Sequence, residues 1–288
     1  PYCKYKVAKN DFDIFHATFD TADYFEKVLM KPYVLTFHDL IPEYFMQDDS
    51  TWRELFPIRK KILRNASRII CISKYTRDSL LNYYSFIDPD KTDVIYHGIT
   101  PYEKKYVENT MGKYILYVGG RREYKNFRFS VKALHPLLRK HTDLKIVCTG
   151  YPFSGDEIKF LSELDLQEKV VNVGYVNDDL LASLYHNALV FIFPSKYEGF
   201  GLPLLEAFVH ECPACIAKAS CFPEIAGDSA NYFDPNDKES ILASVTKVVE
   251  DQEFANSLRI KGEERARSFT WETAAAKMRQ SYLKVLNG

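Results

Sequence analysis

Two glutamates, Glu198 and Glu206, stand seven residues apart around the turn Gly199-Phe200-Gly201, directly after the apolar run Leu189-Val190-Phe191-Ile192-Phe193. A run of large apolar residues without polar alternation reads as a buried parallel strand. Gly199 and Gly201 then form a turn whose backbone can come close to a ligand, and Pro203 is expected at the first position of the next helix. Glu198 thereby falls on a loop and Glu206 about one turn into a helix. A strand, a glycine turn and a helix N-terminus offer unpaired backbone N–H groups and the positive end of a dipole to a phosphate, with Phe200 and Leu202 beside them. Carboxylates nearby can accept hydrogen bonds from sugar or ribose hydroxyls. Two acids beside an anion site fit a nucleotide-sugar.

A second cluster is Tyr117-Val118-Gly119-Gly120-Arg121-Arg122-Glu123-Tyr124-Lys125-Asn126. Gly119 and Gly120, after a strand, let the backbone approach a diphosphate, and Arg121 and Lys125 supply charge to neutralise it. No Gly-Lys-Ser/Thr follows, so this is not a Walker loop. Gly174-Tyr175-Val176-Asn177-Asp178 lies between a strand and a helix capped by Asn177 or Asp178. In the first half, Thr36-Phe37-His38-Asp39-Leu40-Ile41-Pro42-Glu43 places His38 and Asp39 at a strand's C-terminal end, where open α/β sheets hold their ligands. His16 and His97 also sit at strand ends, with weaker claims.

The string from Glu198 to Glu206, followed by Ala207, Pro213 and Ser220-x-x-Pro223-Glu224, resembles the E-x7-E signature of retaining nucleotide-sugar glycosyltransferases of the GT-B fold, family 4-like and mannosyltransferase-like. The loop at Gly119 is similar to that family's Gly-Arg…Lys phosphate clamp. The family spacing of five residues would put the arginine at Gly120, whereas Arg121 is four from Lys125. His38-Asp39-Leu40-x-Pro42 is similar to a segment of related mannosyl- and hexosyltransferases in which the histidine hydrogen-bonds the transferred sugar. The resemblance implies two Rossmann-like domains with a donor cleft between them, Glu206 on the ribose, Glu198 on the sugar and phosphate side, and Val176 near the base. It implies no metal or cofactor beyond the donor substrate, and a saccharide or lipid-linked saccharide acceptor.

The elements that must position these residues alternate between short apolar runs and longer amphipathic stretches, the pattern of an α/β chain with parallel sheets. Four strands are predicted before residue 98: Asp13–His16, Tyr33–His38, Arg68–Ser73 and Asp93–Tyr96. Six follow: Tyr114–Gly119, Leu144–Thr149, Val170–Val173, Leu189–Phe193, Ala214–Ala217 and Ala230–Phe233, enough for a doubly wound domain. The expected division is a first domain over 1–98, a linker over 99–112, a nucleotide-sugar domain over 113–268, and a helix over 269–288 crossing back to the first domain. The first domain is short, and no opening strand with a glycine-rich loop is found, so the chain reads as lacking an N-terminal piece.

With 288 residues, 46% hydrophobic and 27% charged, the chain can bury two cores. A formal net charge of −1 argues against a nucleic-acid binder. No apolar stretch approaches the roughly 20 residues needed to span a bilayer. The six cysteines are scattered, and Cys212-x-x-Cys215 lacks a second ligand pair, so reduced, mostly buried thiols and a cytoplasmic location are expected. A predicted helix around Trp52–Arg68 carries Arg59, Lys60, Lys61, Arg64 and Arg68, which would suit peripheral association with the inner face of a membrane. Two other functions fit the same residues: a nucleotide-sugar epimerase, and a donor-binding fragment without turnover.

Overall fold

The computed structural model describes residues 2–19, 31–100 and 106–287. The chain forms two units, one of Pro1–Gly98, Glu198–Phe200 and Phe269–Gly288, the other of Ile99–Tyr197 and Gly201–Ser268.

The first unit opens with α1 (Tyr2–Lys9), β1 (Phe15–Ala17), β2 (Tyr33–Phe37), α2 (Ile41–Phe45), α3 (Ser50–Asn65), β3 (Arg68–Cys71), α4 (Lys74–Tyr83) and β4 (Thr92–Val94). Its strands pair in parallel in the order β1-β2-β3-β4, with Leu35 opposite Ile69 and Ile70 opposite Asp93. All five residues of β2 are buried, as expected of a strand covered on both faces. The helix expected over Trp52–Arg68 is α3, which ends at Asn65; Arg68 instead begins β3. Of the five basic residues expected on that helix, two face inward. Arg59 is 2% exposed and paired with Glu43 at 3.0 Å, and Arg68 pairs with Asp93.

The second unit comprises β5 (Lys113–Tyr117), α5 (Phe127–Lys140), β6 (Leu144–Cys148), α6 (Gly155–Glu163), β7 (Val170–Asn172), α7 (Asp178–Asn187), β8 (Val190–Phe193), α8 (Leu202–Val209), β9 (Ala214–Ala217), α9 (Phe222–Ala226), β10 (Asn231–Phe233), α10 (Lys238–Glu250) and α11 (Gln252–Ala266). The sheet is parallel throughout, in the order β10-β9-β8-β5-β6-β7. The strand order therefore reverses between β5 and β8. In a doubly wound sheet the crevice outside the carboxyl ends of those two strands is where ligands bind. Helix α8 begins at Leu202, one residue earlier than expected, so Pro203 occupies its second position, where the missing N–H is equally harmless. Five cysteines, Cys71, Cys148, Cys212, Cys215 and Cys221, are buried and unbridged. Burial pushes the Cys212 and Cys215 thiols up to about 12, leaving them unreactive at neutral pH.

The last helix, α12 (Trp271–Asn287), belongs to the first unit. Met278, Tyr282 and Val285 pack against Val34, Ile70 and Ile95. Asp93 fastens the helix: it accepts hydrogen bonds from Ser281 Oγ at 2.7 Å and Lys284 Nζ at 2.8 Å while Arg68 binds it from β3. Burial works to raise the Asp93 carboxyl, but these donors outweigh it and hold the group well below the usual carboxylate range. A depressed folded-state value means that its stabilisation is present above the ordinary carboxylate range of about 4 and is lost as pH falls through the folded value. Asp93→Asn should weaken the seating of α12 by about 2–3 kcal/mol. Hydrogen exchange would read this as lost amide protection over 271–287 at neutral pH, with the difference from the parent shrinking in acid.

Among the described residues no helix is long and apolar enough to cross a membrane.

Candidate functional site

In the second unit the loops at the carboxyl ends of β5 and β8 carry the chemistry read from sequence. Gly119 has φ +115°, and a Cβ placed on either Gly119 or Gly120 would meet no protein atom within 4 Å. The backbone there borders open space, as a surface kept clear for a ligand must. The Tyr117 hydroxyl donates to the Gly120 carbonyl at 2.8 Å, and Lys196 N donates to Tyr124 O at 2.8 Å, tying the two loops together. Lys125, half-buried at the end of a short 3-10 turn, puts its ammonium 5.9 Å from the ring of Phe193, the last residue of β8. The cation thus stands over the switch point.

Glu206 lies one turn into α8, behind the turn residues Gly201 and Leu202. Its Oε2 accepts a hydrogen bond from the hydroxyl of Tyr185 on α7 at 3.0 Å, and the Tyr185 side chain is wholly buried. Burial raises the Glu206 carboxyl, Tyr185 counters it, and Asp178 adds to the rise. A desolvated carboxylate with one fixed donor is ready to accept further hydroxyls. Val176 is half-buried on the loop after β7, and Asn177 caps α7 through Leu180 N at 2.9 Å.

In the first unit, the Glu198–Phe200 segment is clasped by residues after β2 and β3. The Gly199 carbonyl accepts from Ser73 Oγ at 2.7 Å and from Thr76 Oγ1 at 2.9 Å, while Ser73 also caps α4. A Cβ on Gly199 would lie 2.0 Å from the carbonyl oxygen of His38. Glu198 is buried next to this contact. His38 shares a hydrogen bond with the Thr18 carbonyl at 2.9 Å and stacks on His97, their ring centroids 6.0 Å apart. His97 meets Phe200 edge-on at 5.1 Å. Burial, with His38 beside it, lowers the His97 imidazole to about 4, so it is neutral at physiological pH. Asp39 spends one carboxylate oxygen on Ile41 N at 2.8 Å, opening the turn into α2.

Residues 99–265 match the family of glycosyl transferases group 1, and residues 1–103 match glycosyltransferase family 4. The chain belongs to the group 1 glycosyl transferases. The O-antigen chain mannosyltransferase B of Escherichia coli is 30% identical over 86% of this chain and 69% of its own length. Sucrose-phosphate synthase from Thermosynechococcus elongatus superposes with a TM-score of 0.80 at 21% identity, covering 99% of this chain and 76% of the other. Anabaena Alr3699/HepE, solved in complex with UDP and glucose, superposes with a TM-score of 0.80 at 18% identity, covering 98% and 81%. These likenesses place the fold as GT-B. The glycosyltransferase spans between 52% and 69% of the length of the curated relatives it matches first.

One residue expected to meet phosphate is engaged elsewhere. Arg121 of the glycosyltransferase is 5% exposed, its Nε is paired with Glu157 at 2.8 Å, and its Nη2 donates to the carbonyls of Tyr151 and Pro152. Its guanidinium also lies over Phe153 at 4.8 Å. That side chain ties the loop after β5 to the loop after β6, and Lys125 is left as the cation of the expected clamp that reaches β8. Sequence reasoning also passed over Ser73, Thr76 and Tyr185. A Ser three residues before a Thr after a buried strand marks a helix cap, which could have drawn attention to the first two. Nothing local distinguishes Tyr185 from a core tyrosine.

Proposed function

We propose that this glycosyltransferase moves a hexose from a nucleoside diphosphate sugar to a hydroxyl of a carbohydrate or lipid-linked carbohydrate, with retained anomeric configuration and without metal or cofactor. The observation that carries the reading is the set gathered at the β5–β8 switch point: an open glycine loop, the Lys125 ammonium above Phe193, and Glu206 held by Tyr185 one turn into α8. The O-antigen mannosyltransferase relative makes mannose the first sugar to try. In this reading Glu206 accepts the ribose hydroxyls, the backbone at Val176 meets the base, and His38 and Glu198 address the sugar. The acceptor oxygen bonds to the anomeric carbon on the face from which the diphosphate leaves. The carbon–oxygen bond to phosphate breaks, and the acceptor proton passes to a phosphate oxygen. Lys125 and the α8 N-terminus take up the developing charge.

A thermal-shift screen over UDP, GDP, ADP and their sugars tests the donor site, since a ligand of the folded state alone raises stability. No shift with any of them overturns the reading. Adding a saccharide acceptor and following products separates transfer from an epimerised sugar and from binding without turnover. Lys125→Ala should weaken a nucleoside diphosphate about tenfold or more and the nucleoside hardly at all. Equal losses for both would remove Lys125 from the phosphate.

A further inference from the structure

Residues after β5, at the start of α5 and after β8 enclose a cavity of about 580 Å³ in the second unit, lined by none of Gly119, Gly120, Lys125, Glu206 or Val176. Its walls are cationic. Arg122, Arg128 and Lys196 are exposed there, and Glu123 is the one acid among the described lining residues. Among the described ion pairs none takes up Arg128 or Lys196. Arg121 lines the same cavity from the buried side: its side chain is 5% exposed, and its Nη1 has no hydrogen-bond partner, although Nε and Nη2 are bonded as described above. The first turn of α5 completes the wall. Asn126 precedes it in the left-handed conformation, φ +61°, and gives this 14-residue helix no side-chain cap; its Nδ2 donates instead to the Pro235 carbonyl at 2.7 Å. The leading N–H groups of α5 therefore lack the side-chain acceptor that a helix start ordinarily supplies.

A buried guanidinium N–H without a partner is costly, and a negative charge beside it offsets that cost. An uncapped helix start adds partial positive charge and N–H groups that point out of the helix. Guanidinium groups gathered with such N–H donors favour a phosphate, whose oxygens accept from several donors at once. We infer that this cavity binds a phosphate monoester, held by the α5 N-terminus and the exposed Arg122, Arg128 and Lys196, with the Arg121 guanidinium behind it. The cavity is larger than a phosphate alone. The half-buried ring of Phe129, with the ammonium groups of Lys196 and Lys238 at 6.0 and 5.7 Å from its centre, lines the remaining space and offers an apolar face to a sugar ring. This site goes beyond the donor site proposed above and needs no nucleotide.

Calorimetry of the full chain with inorganic phosphate and with mannose 6-phosphate, at fixed ionic strength, tests it. Both should bind, and the double substitution R128Q/K196Q should weaken each about tenfold, the loss expected for two exposed charge contacts to an anion. Circular dichroism melting should find that variant folded, since both side chains are exposed, and its thermal shift with nucleoside diphosphates should match the parent's. Lys125→Ala should do the reverse, weakening a nucleoside diphosphate while phosphate affinity stays within about twofold. Tighter binding of mannose 6-phosphate than of phosphate identifies the occupant as a sugar phosphate, and equal binding identifies the free ion; either supports the site. Absence of binding by both compounds, or binding unmoved by R128Q/K196Q, overturns the proposal. So does phosphate binding that Lys125→Ala weakens as much as it weakens a nucleoside diphosphate, which sends the phosphate to the donor site. The donor screen uses nucleotides, so either result can fail without the other.

Discussion

Gly199→Ala should lower sugar transfer by roughly 100-fold or more, because a displacement of about an ångström in a catalytic arrangement costs that much. The added methyl would sit 2.0 Å from the His38 carbonyl oxygen and 3.2 Å from Ile72 Cδ1, so the two backbone segments must part by more than an ångström. Ser73 and Thr76, which hold the Gly199 carbonyl, oppose that movement, and the overpacking should also cost about 1–3 kcal/mol of stability in the first unit. Gly120→Ala is the comparison: its methyl meets nothing within 4 Å, so melting should be unchanged. Full transfer by a folded Gly199→Ala enzyme would show that the seating of Glu198–Phe200 against His38 has no bearing on the chemistry.

Glu206→Ala should reduce nucleotide affinity about 30- to 150-fold, the loss of roughly 2–3 kcal/mol in charge-assisted hydrogen bonds to two ribose hydroxyls. Calorimetry with a nucleoside and its diphosphate should give similar factors for both, unlike Lys125→Ala. Because burial raises the Glu206 carboxyl above its usual range, affinity should decline as pH falls through that raised value, where protonation removes an acceptor. Tyr185→Phe deletes the one contact that lowers it, so the decline should begin at higher pH in that variant. A folded Glu206→Ala protein with unchanged affinity would exclude the ribose assignment.

The inner strands were legible because a strand covered on both faces must be apolar along its length, a local pattern that β2, β8 and β9 follow at every position; the edge strands β1, β4, β7 and β10 are only partly buried and carry polar residues such as His16, Asp93 and Asn231. The ends were less so: β1 begins at Phe15 instead of Asp13, and β3 stops at Cys71, since hydrogen-bonding of terminal residues depends on the neighbouring strand. Charged residues were harder to place. Sequence gives the sign of Arg121, Arg59 and Arg68, but their partners Glu157, Glu43 and Asp93 lie 36, 16 and 25 residues away and turn all three inward. Lys60 and Arg64 have no such partner in the described ion pairs and stay at the surface. Ser73 is 126 residues from the carbonyl it binds, and only the folded first unit brings them together.

The return of α12 to the sheet of β1–β4 makes the first unit discontinuous, and this sets an order on its assembly. During synthesis from the N-terminus, every strand of the second unit leaves the ribosome before residues 271–287 do, so that unit can close its core first. Apart from Ile14, the side chains that cover Val34, Ile70 and Ile95 come from α12, so most of that apolar surface must wait through the translation of some 170 residues. Closing so long a loop costs only a little more entropy than closing a short one, because the cost grows with the logarithm of length. The delay is therefore chiefly one of time, and during it the nascent first unit is a natural client for a chaperone.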